Sequence, residues 1–262
     1  MKKYLVIGNP IQHSLSPVLH NYWFKTYNED AIYEKKKIEE KELKELISEI
    51  RNGSISGMNI TVPFKNSIIK YLDKLSNISE KTKSVNTVYK YQNKIYGHNT
   101  DSVGFGLSLV QTQFKTKGKI AFILGAGGVT SSIIFALKSK GVSEIYVTNR
   151  TKQKAENLKK LFPEIKVIDW GQRPPKFDVI INTTSLGLKE NDRIEINFND
   201  CQDKLFFDLI YSTKTKFLKE RETLNYTKDG MSMFVFQAQI AYESWFGYKP
   251  NLEDKLWELL SN

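Results

Sequence analysis

Apolar positions change their rhythm near Gly104, and the change divides the 262-residue chain into two readings. Before it, strand and helix patterns are mixed. Residues 4–7 form an apolar run of strand length, a polar, proline-containing stretch covers 8–17, and 18–24 reads as a helix entered through Pro17 in its first turn. Residues 32–38 are predicted as strand. Between 39 and 51, Leu43, Leu46, Ile47 and Ile50 recur at helical spacing among charges, which predicts an amphipathic helix. Residues 57–63 read as a strand ending at Pro63, 64–75 as helix, and 86–91 with 94–99 as a hairpin turning at Gln92-Asn93. After Gly104 strand and helix patterns alternate regularly. Near-continuous apolar runs at 119–124, 144–148, 166–168, 178–181 and 205–208 are strands, and 129–140 and 152–161 are helices between them. That order predicts a parallel sheet with helices on both faces. Residues 233–246 and 252–260 close the chain as helices, with no internal repeat and no low-complexity segment.

The length suits two compact units, and 40% apolar residues are enough to give each a core, which excludes a disordered or fibrous chain. Cys201 is the only cysteine, so no disulfide framework exists, and His13, His20 and His98 add too few ligands for a structural zinc. No metal is expected, and the setting is read as cytoplasmic. The apolar run at the start is too short for a signal-peptide core or a membrane span. Lys plus Arg total 39 against 29 Asp plus Glu, a net charge of +10, and residues 1–101 carry 16 basic and 11 acidic side chains, so the excess is spread evenly. Without a basic tail or an aromatic-basic reading motif, nucleic acid is excluded as a partner. The densest basic run, 138–160, suggests anionic small molecules or a solvated face.

Gly125-Ala126-Gly127-Gly128-Val129-Thr130 follows a predicted strand and opens a helix. A glycine turn there lets backbone approach a pyrophosphate at a helix N-terminus, where free N–H groups and the dipole favour negative charge. Thr130 stands where a third glycine is usual, and an ordinary tight turn is the competing reading. At the end of the second strand a NAD site usually offers a carboxylate to the ribose hydroxyls; here Asn149-Arg150-Thr151 stands instead. An Arg fork binds a 2′-phosphate that a carboxylate would repel, so NADP is favoured over NAD. Arg150 as solvated surface and Thr151 as a helix N-cap are the plainer alternatives.

Small polar residues gather at predicted element ends elsewhere: Ser14 and Ser16; Asn59, Thr61 and Lys65; Asn86; and Asn99, Thr100 and Asp101. The set suits a polyhydroxylated acid, because an unmatched buried polar group costs about 1–3 kcal/mol. Singly, each has an ordinary structural reading as a turn, edge, cap or surface residue. Jointly, the segments 7–21, 59–65, 85–87, 99–104, 125–128, 149–151 and 230–238 closely resemble, in order and over nearly the whole chain, the signatures of the shikimate dehydrogenase family.

The resemblance implies an α/β fold with an N-terminal mixed α/β substrate-binding and catalytic domain at 1–101 plus 237–262. A Rossmann-like, doubly wound parallel-sheet NADP domain spans 102–236, and the last helices return to the first domain. It implies NADPH-dependent reduction of 3-dehydroshikimate to shikimate, on the route to chorismate and the aromatic amino acids. By position, Ser14 and Ser16 would bind the substrate carboxylate, Asn59, Thr61, Asn86, Tyr211 and Gln237 would also contact substrate, and Lys65 with Asp101 would form the catalytic pair. Cofactor contacts would come from Gly125, Ala126, Gly127, Gly128, Val129, Thr130, Asn149, Arg150, Thr151, Thr183, Leu209, Gly230 and Met233. Thr183, Leu188 and Thr213 depart from a usual Ala, Met and Pro. The active site is expected in a cleft between the domains, with 102–106 and 231–237 as hinges.

Chemistry supports the pair independently. Hydride delivered to a ketone leaves an alkoxide that needs a proton, which a protonated Lys65 would supply and Asp101 would hold in place. In oxidation either residue could be the base. The alternatives are a quinate/shikimate dehydrogenase using NAD and a non-catalytic NADP-binding regulator on the same fold. The expected partner is a small-molecule substrate, with no membrane, and a homodimer stays open.

Overall fold

The computed structural model describes residues 1–189 and 191–261, and the chain divides into two compact units, Met1–Thr100 with Gln237–Asn262 and Asp101–Phe236. In the first unit the elements run β1 (Lys2–Gly8), α1 (Ser16–Thr26), β2 (Ala31–Lys37), a 3-10 turn, α2 (Leu43–Asn52), β3 (Gly57–Ile60), a second 3-10 turn at Ser67–Tyr71, β4 (Lys74–Leu75), α3 (Asn77–Thr82), β5 (Thr87–Tyr91) and β6 (Lys94–His98). The sheet order is β2-β1-β3-β5-β6-β4, with the β3–β5 and β5–β6 pairs antiparallel and the rest parallel. Strand alternation sends Leu5 and Ile7 to a core shared with Leu43, Leu46, Ile47 and Ile50 of α2. The opposite face is aromatic. Tyr4 packs on Phe24 at 5.4 Å and on Trp245 at 4.7 Å, and a Cβ at Gly57 would come within 2.6 Å of the Trp245 indole, so only glycine fits there. The hairpin turns where expected, with Gln92 and Asn93 both at positive φ.

The second unit comprises α4 (Asp101–Gln111), β7 (Ile120–Leu124), α5 (Thr130–Ser139), β8 (Glu144–Thr148), α6 (Lys152–Leu161), β9 (Lys166–Ile168), β10 (Val179–Asn182), β11 (Leu205–Asp208), α7 (Lys216–Lys219) and β12 (Tyr226–Lys228). Its sheet is parallel throughout in the order β12-β11-β10-β7-β8-β9. That is the doubly wound arrangement, with its switch point between β7 and β10. Two further helices, α8 (Met231–Phe246) and α9 (Asp254–Ser261), close the chain.

Three expectations change. Residues 64–75 are a turn, a short 3-10 segment and a strand rather than one helix. Helical cover is unequal on the second sheet: α4 and α5 pack one face, whereas Phe122, Leu124, Ile180 and Phe206 meet Phe177, Ile196 and Phe198 from irregular chain and Phe217 from the one-turn α7. Hinges at 102–106 and 231–237 fall inside α4 and α8, where bending would break helical hydrogen bonds.

Candidate active site

In the first unit the proposed substrate residues converge on the ends of β1, β3 and β6. Ser14 and Ser16 are tied together, the Ser16 amide donating to Ser14 Oγ at 3.3 Å just as α1 begins. Asn59, on β3, is 7% exposed and held in a fixed polarity. Its Nδ2 donates to the Asn86 carbonyl and to Thr87 Oγ1, each at 3.0 Å. A carbonyl can only accept, so the amide cannot be flipped, and Oδ1 accepts from the Tyr33 hydroxyl at 2.6 Å. What Asn59 still offers a ligand is a lone pair, which suits a substrate hydroxyl.

Tyr33 was not among the sequence candidates. Its backbone is clamped in both directions by the Asn21 amide at 2.9 Å, and its ring stacks on His20 at 4.4 Å. His20 and Asn21 thus hold the tyrosine whose hydroxyl donates to one proposed substrate residue, Asn59. Asn86 Oδ1 accepts from the Thr100 amide at 2.8 Å, and Asn86 Nδ2 reaches Gln237 Oε1 at 3.3 Å, so these two are joined within the unit. Thr61 caps the turn that follows β3, its carbonyl accepting from the Phe64 amide at 3.0 Å, and that turn carries Lys65. Lys65 is buried at 7% exposure, which removes its reading as a surface amine.

Asp101 and Tyr211 belong to the second unit. Asp101 is buried as the first residue of α4, and Tyr211 stacks on Phe234 at 4.7 Å. Around the glycine turn, Gly125 has φ +110°, and a Cβ there would lie 2.6 Å from Thr183 Oγ1; Gly127 and Gly128 have open space where a Cβ would stand. Thr130 takes a part in place of the missing glycine: its hydroxyl oxygen accepts from the Gly127 amide at 3.1 Å and lies 3.0 Å from Thr183 Oγ1. Thr183 Oγ1 in turn donates to the Leu124 carbonyl at 2.9 Å. Asn149 bridges the turn to the next loop, Oδ1 accepting from the Ala126 amide and Nδ2 donating to the Thr151 carbonyl. Arg150 is exposed, and Thr151 occupies the N-cap position of α6, as expected, but without a side-chain capping bond. Val129 stands at the N-cap of α5. Gly230 lies backbone to backbone on Leu209, where a Cβ would collide with the Leu209 carbonyl, and Met233 packs in the core below. Among the described residues no cluster fit to hold a metal ion occurs, and no helix is long and apolar enough to cross a membrane.

A doubly wound parallel sheet joined in one chain to a second α/β unit, with a glycine turn beside the switch point, is the architecture of a two-domain nicotinamide-dependent oxidoreductase. Comparison with known proteins fixes the family within that class. Residues 6–88 match the shikimate dehydrogenase substrate binding domain, and 108–210 match the shikimate / quinate 5-dehydrogenase domain. A shikimate dehydrogenase (NADP(+)) of Pelagibacter ubique is 52% identical over 99% of this chain and 98% of its own length. The shikimate 5-dehydrogenase of Thermus thermophilus in complex with NADP(H) and shikimate superposes with a TM-score of 0.86 at 28% identity, covering 99% of this chain and 98% of that one. That of Listeria monocytogenes, in complex with shikimate and NAD, gives 0.90 at 29% identity over 99% and 96%. The chain belongs to the shikimate dehydrogenase family.

Proposed function

We propose that this protein catalyses the reversible, NADPH-dependent reduction of 3-dehydroshikimate to shikimate, a step toward chorismate and the aromatic amino acids. The full-length relationship to NADP(+)-dependent shikimate dehydrogenases carries the reading. The first unit is the substrate-binding domain and the second the NADP domain. Ser14 and Ser16 take the carboxylate through their hydroxyls, and Asn59 accepts from a ring hydroxyl through its remaining lone pair, while Thr61, Asn86, Tyr211 and Gln237 complete the polar set. NADPH, when bound, supplies the hydride. The Gly125–Thr130 turn receives its pyrophosphate at the start of α5, and Arg150 with the uncapped Thr151 hydroxyl takes the 2′-phosphate. Leu209, Gly230 and Met233 belong to the nicotinamide side. Lys65, as an ammonium, gives its proton to the oxygen that becomes the alcohol and stabilises the charge developing there, with Asp101 as the second member of the catalytic pair.

A second reading, use of NAD, draws on the NAD present in the Listeria complex; the exposed arginine at 150 weighs against it here. Absorbance at the NADPH band, with shikimate and each oxidised cofactor, tests both. We expect kcat/KM to be much higher with NADP+. Equal values would overturn the cofactor assignment, and no reduction of either would leave a non-catalytic NADP-binding regulator. A cytoplasmic enzyme is part of the proposal, in line with the single, buried thiol of Cys201. A homodimer stays open, with Val110, Leu224 and Tyr226 as exposed apolar surface for it, and a particle of 30.3 kDa by sedimentation would remove it.

A further inference from the structure

The carboxyl edge of the second sheet contains a buried acid to which the reaction assigns no step. Asp208, the last residue of β11, is 0% exposed. Its Oδ1 accepts from Asn182 Nδ2 at 3.0 Å and from the Ile210 amide at 3.1 Å, and its Oδ2 accepts from Thr215 Oγ1 at 2.6 Å. An ionised carboxylate only accepts, so it dictates which way the Asn182 amide faces. With Nδ2 turned to Asp208, Asn182 Oδ1 takes the Thr184 amide at 3.0 Å and the Thr184 hydroxyl at 2.6 Å. Asn182 Nδ2 also donates to the Leu186 carbonyl at 3.1 Å, and the Leu186 amide donates to Thr184 Oγ1 at 3.1 Å. One carboxylate therefore sets the whole path of 182–186. On its other side it ties both ends of 210–215, the loop that bears Tyr211. The two loops also touch at Gly187, whose φ of +113° and lack of a Cβ admit the Thr215 methyl.

We infer that Asp208 is a positioning residue that fastens the 182–187 and 210–215 loops into one platform for the nicotinamide end of the cofactor. The inference rests on the function proposed above, which assigns Leu209 to that side and Tyr211 to the substrate. Only the ionised acid fulfils this role. Burial pushes the Asp208 carboxyl up to about 6, against the pull of its three hydrogen-bond donors and with the Asp229 carboxylate as the nearby charge that raises it further. On protonation one oxygen becomes a donor, and the Asn182 amide or the Thr215 hydroxyl loses its acceptor.

Fluorescence titration of NADPH binding across pH tests the inference without requiring turnover. For Asp208→Ala we expect Kd for NADPH to rise about tenfold at pH 8, as a lost charged hydrogen-bond hub would cause. In the parent protein Kd should climb as pH falls below about 6. Asp208→Asn carries one acceptor and one donor, as the protonated acid does, so at pH 8 it should already show the weaker binding that the parent reaches in acid, and it should lose that acid-side climb. An unchanged Kd in Asp208→Ala, or a climb that persists in Asp208→Asn, would overturn the inference. Should Asp208→Ala not fold, the pH profile of Asp208→Asn decides alone. A parent protein that binds NADPH yet does not oxidise shikimate would sink the proposed reaction while leaving these outcomes readable.

Discussion

Lys65 and Arg150 are cations in opposite settings, one buried and one exposed, and they are expected to fail differently. Removing the Lys65 ammonium takes away both the proton and the charge that meets the developing alkoxide, interactions stronger in the transition state than in the ground state. Lys65→Ala should therefore lower kcat by about two to four orders of magnitude with a modest change in KM for shikimate. Steady-state kinetics that retain most of the activity would refute the role. Arg150→Ala should act on the ground state, raising KM for NADP+ about tenfold or more and leaving that for NAD+ nearly unchanged, since only the former carries the 2′-phosphate. Parallel cofactor titrations check this, and equal effects on the two cofactors would remove Arg150 from the phosphate. Both residues were legible in the sequence because each stands in a short, ordered motif. Tyr33 was not. Its importance comes from Asn21, His20 and Asn59, which the fold collects from a helix and another strand, whereas the linear pattern around it reads as an ordinary strand at the sheet edge.

The turn between β7 and α5 shows how an element absorbs two departures from pattern at once. Thr130 replaces a glycine and Thr183 a common alanine, and the structure sets their hydroxyls 3.0 Å apart. With Thr183 donating to the Leu124 carbonyl, the Thr130 hydroxyl oxygen is left to receive the Gly127 amide. The pair should therefore be energetically coupled. We expect Thr130→Ala and Thr183→Ala each to raise KM for NADP+, and the double variant to cost less than the two together by about 1 kcal/mol. Strict additivity in that cycle would mean that the two hydroxyls act separately. Element by element, the parallel strands were legible because strands buried on both faces read as unbroken apolar runs. The 64–75 segment misled because Ile68, Ile69 and Leu72 have helical spacing, yet the turn that presents Lys65 uses up the chain needed for a full helix. The second face of the sheet misled for a related reason: Ile196 and Phe198 cover it from irregular chain, which has no period to read.

Across the whole molecule, the charge of +10 is less concentrated than the sequence suggests. Within the basic run at 138–160, Lys138 pairs with Glu164 and Lys152 with Asp169, carboxylates that lie beyond it. Net charge is thus a poor guide to how stability varies with pH, and two buried groups are better ones. Burial among Tyr33, Trp23 and Trp245 lowers the His20 imidazole to about 3, and neither ring nitrogen has a hydrogen-bond partner. The unfolded chain binds a proton there below its ordinary 6.5 and the folded chain does not, so stability from this group falls as pH drops from 6.5 toward 3. Asp208 has the opposite sign. Raised from 3.8 to about 6, it is protonated in the folded chain where the unfolded chain is ionised, so its contribution falls as pH rises through that window. Each slope is about 1.4 kcal/mol per pH unit, and between about 3.8 and 6 the two cancel in any transition that unfolds both units. Urea unfolding across pH 4 to 6 should expose them one at a time. His20→Phe keeps the ring stack and loses no hydrogen bond, and relative to the parent its stability should improve steadily toward acid. Asp208→Asn should lose stability toward acid relative to the parent over the same range. Parallel pH profiles for the parent and both variants would mean that neither burial perturbs its group as described. Slopes that appear in separate transitions would assign the first to the unit containing His20 and the second to the unit containing Asp208.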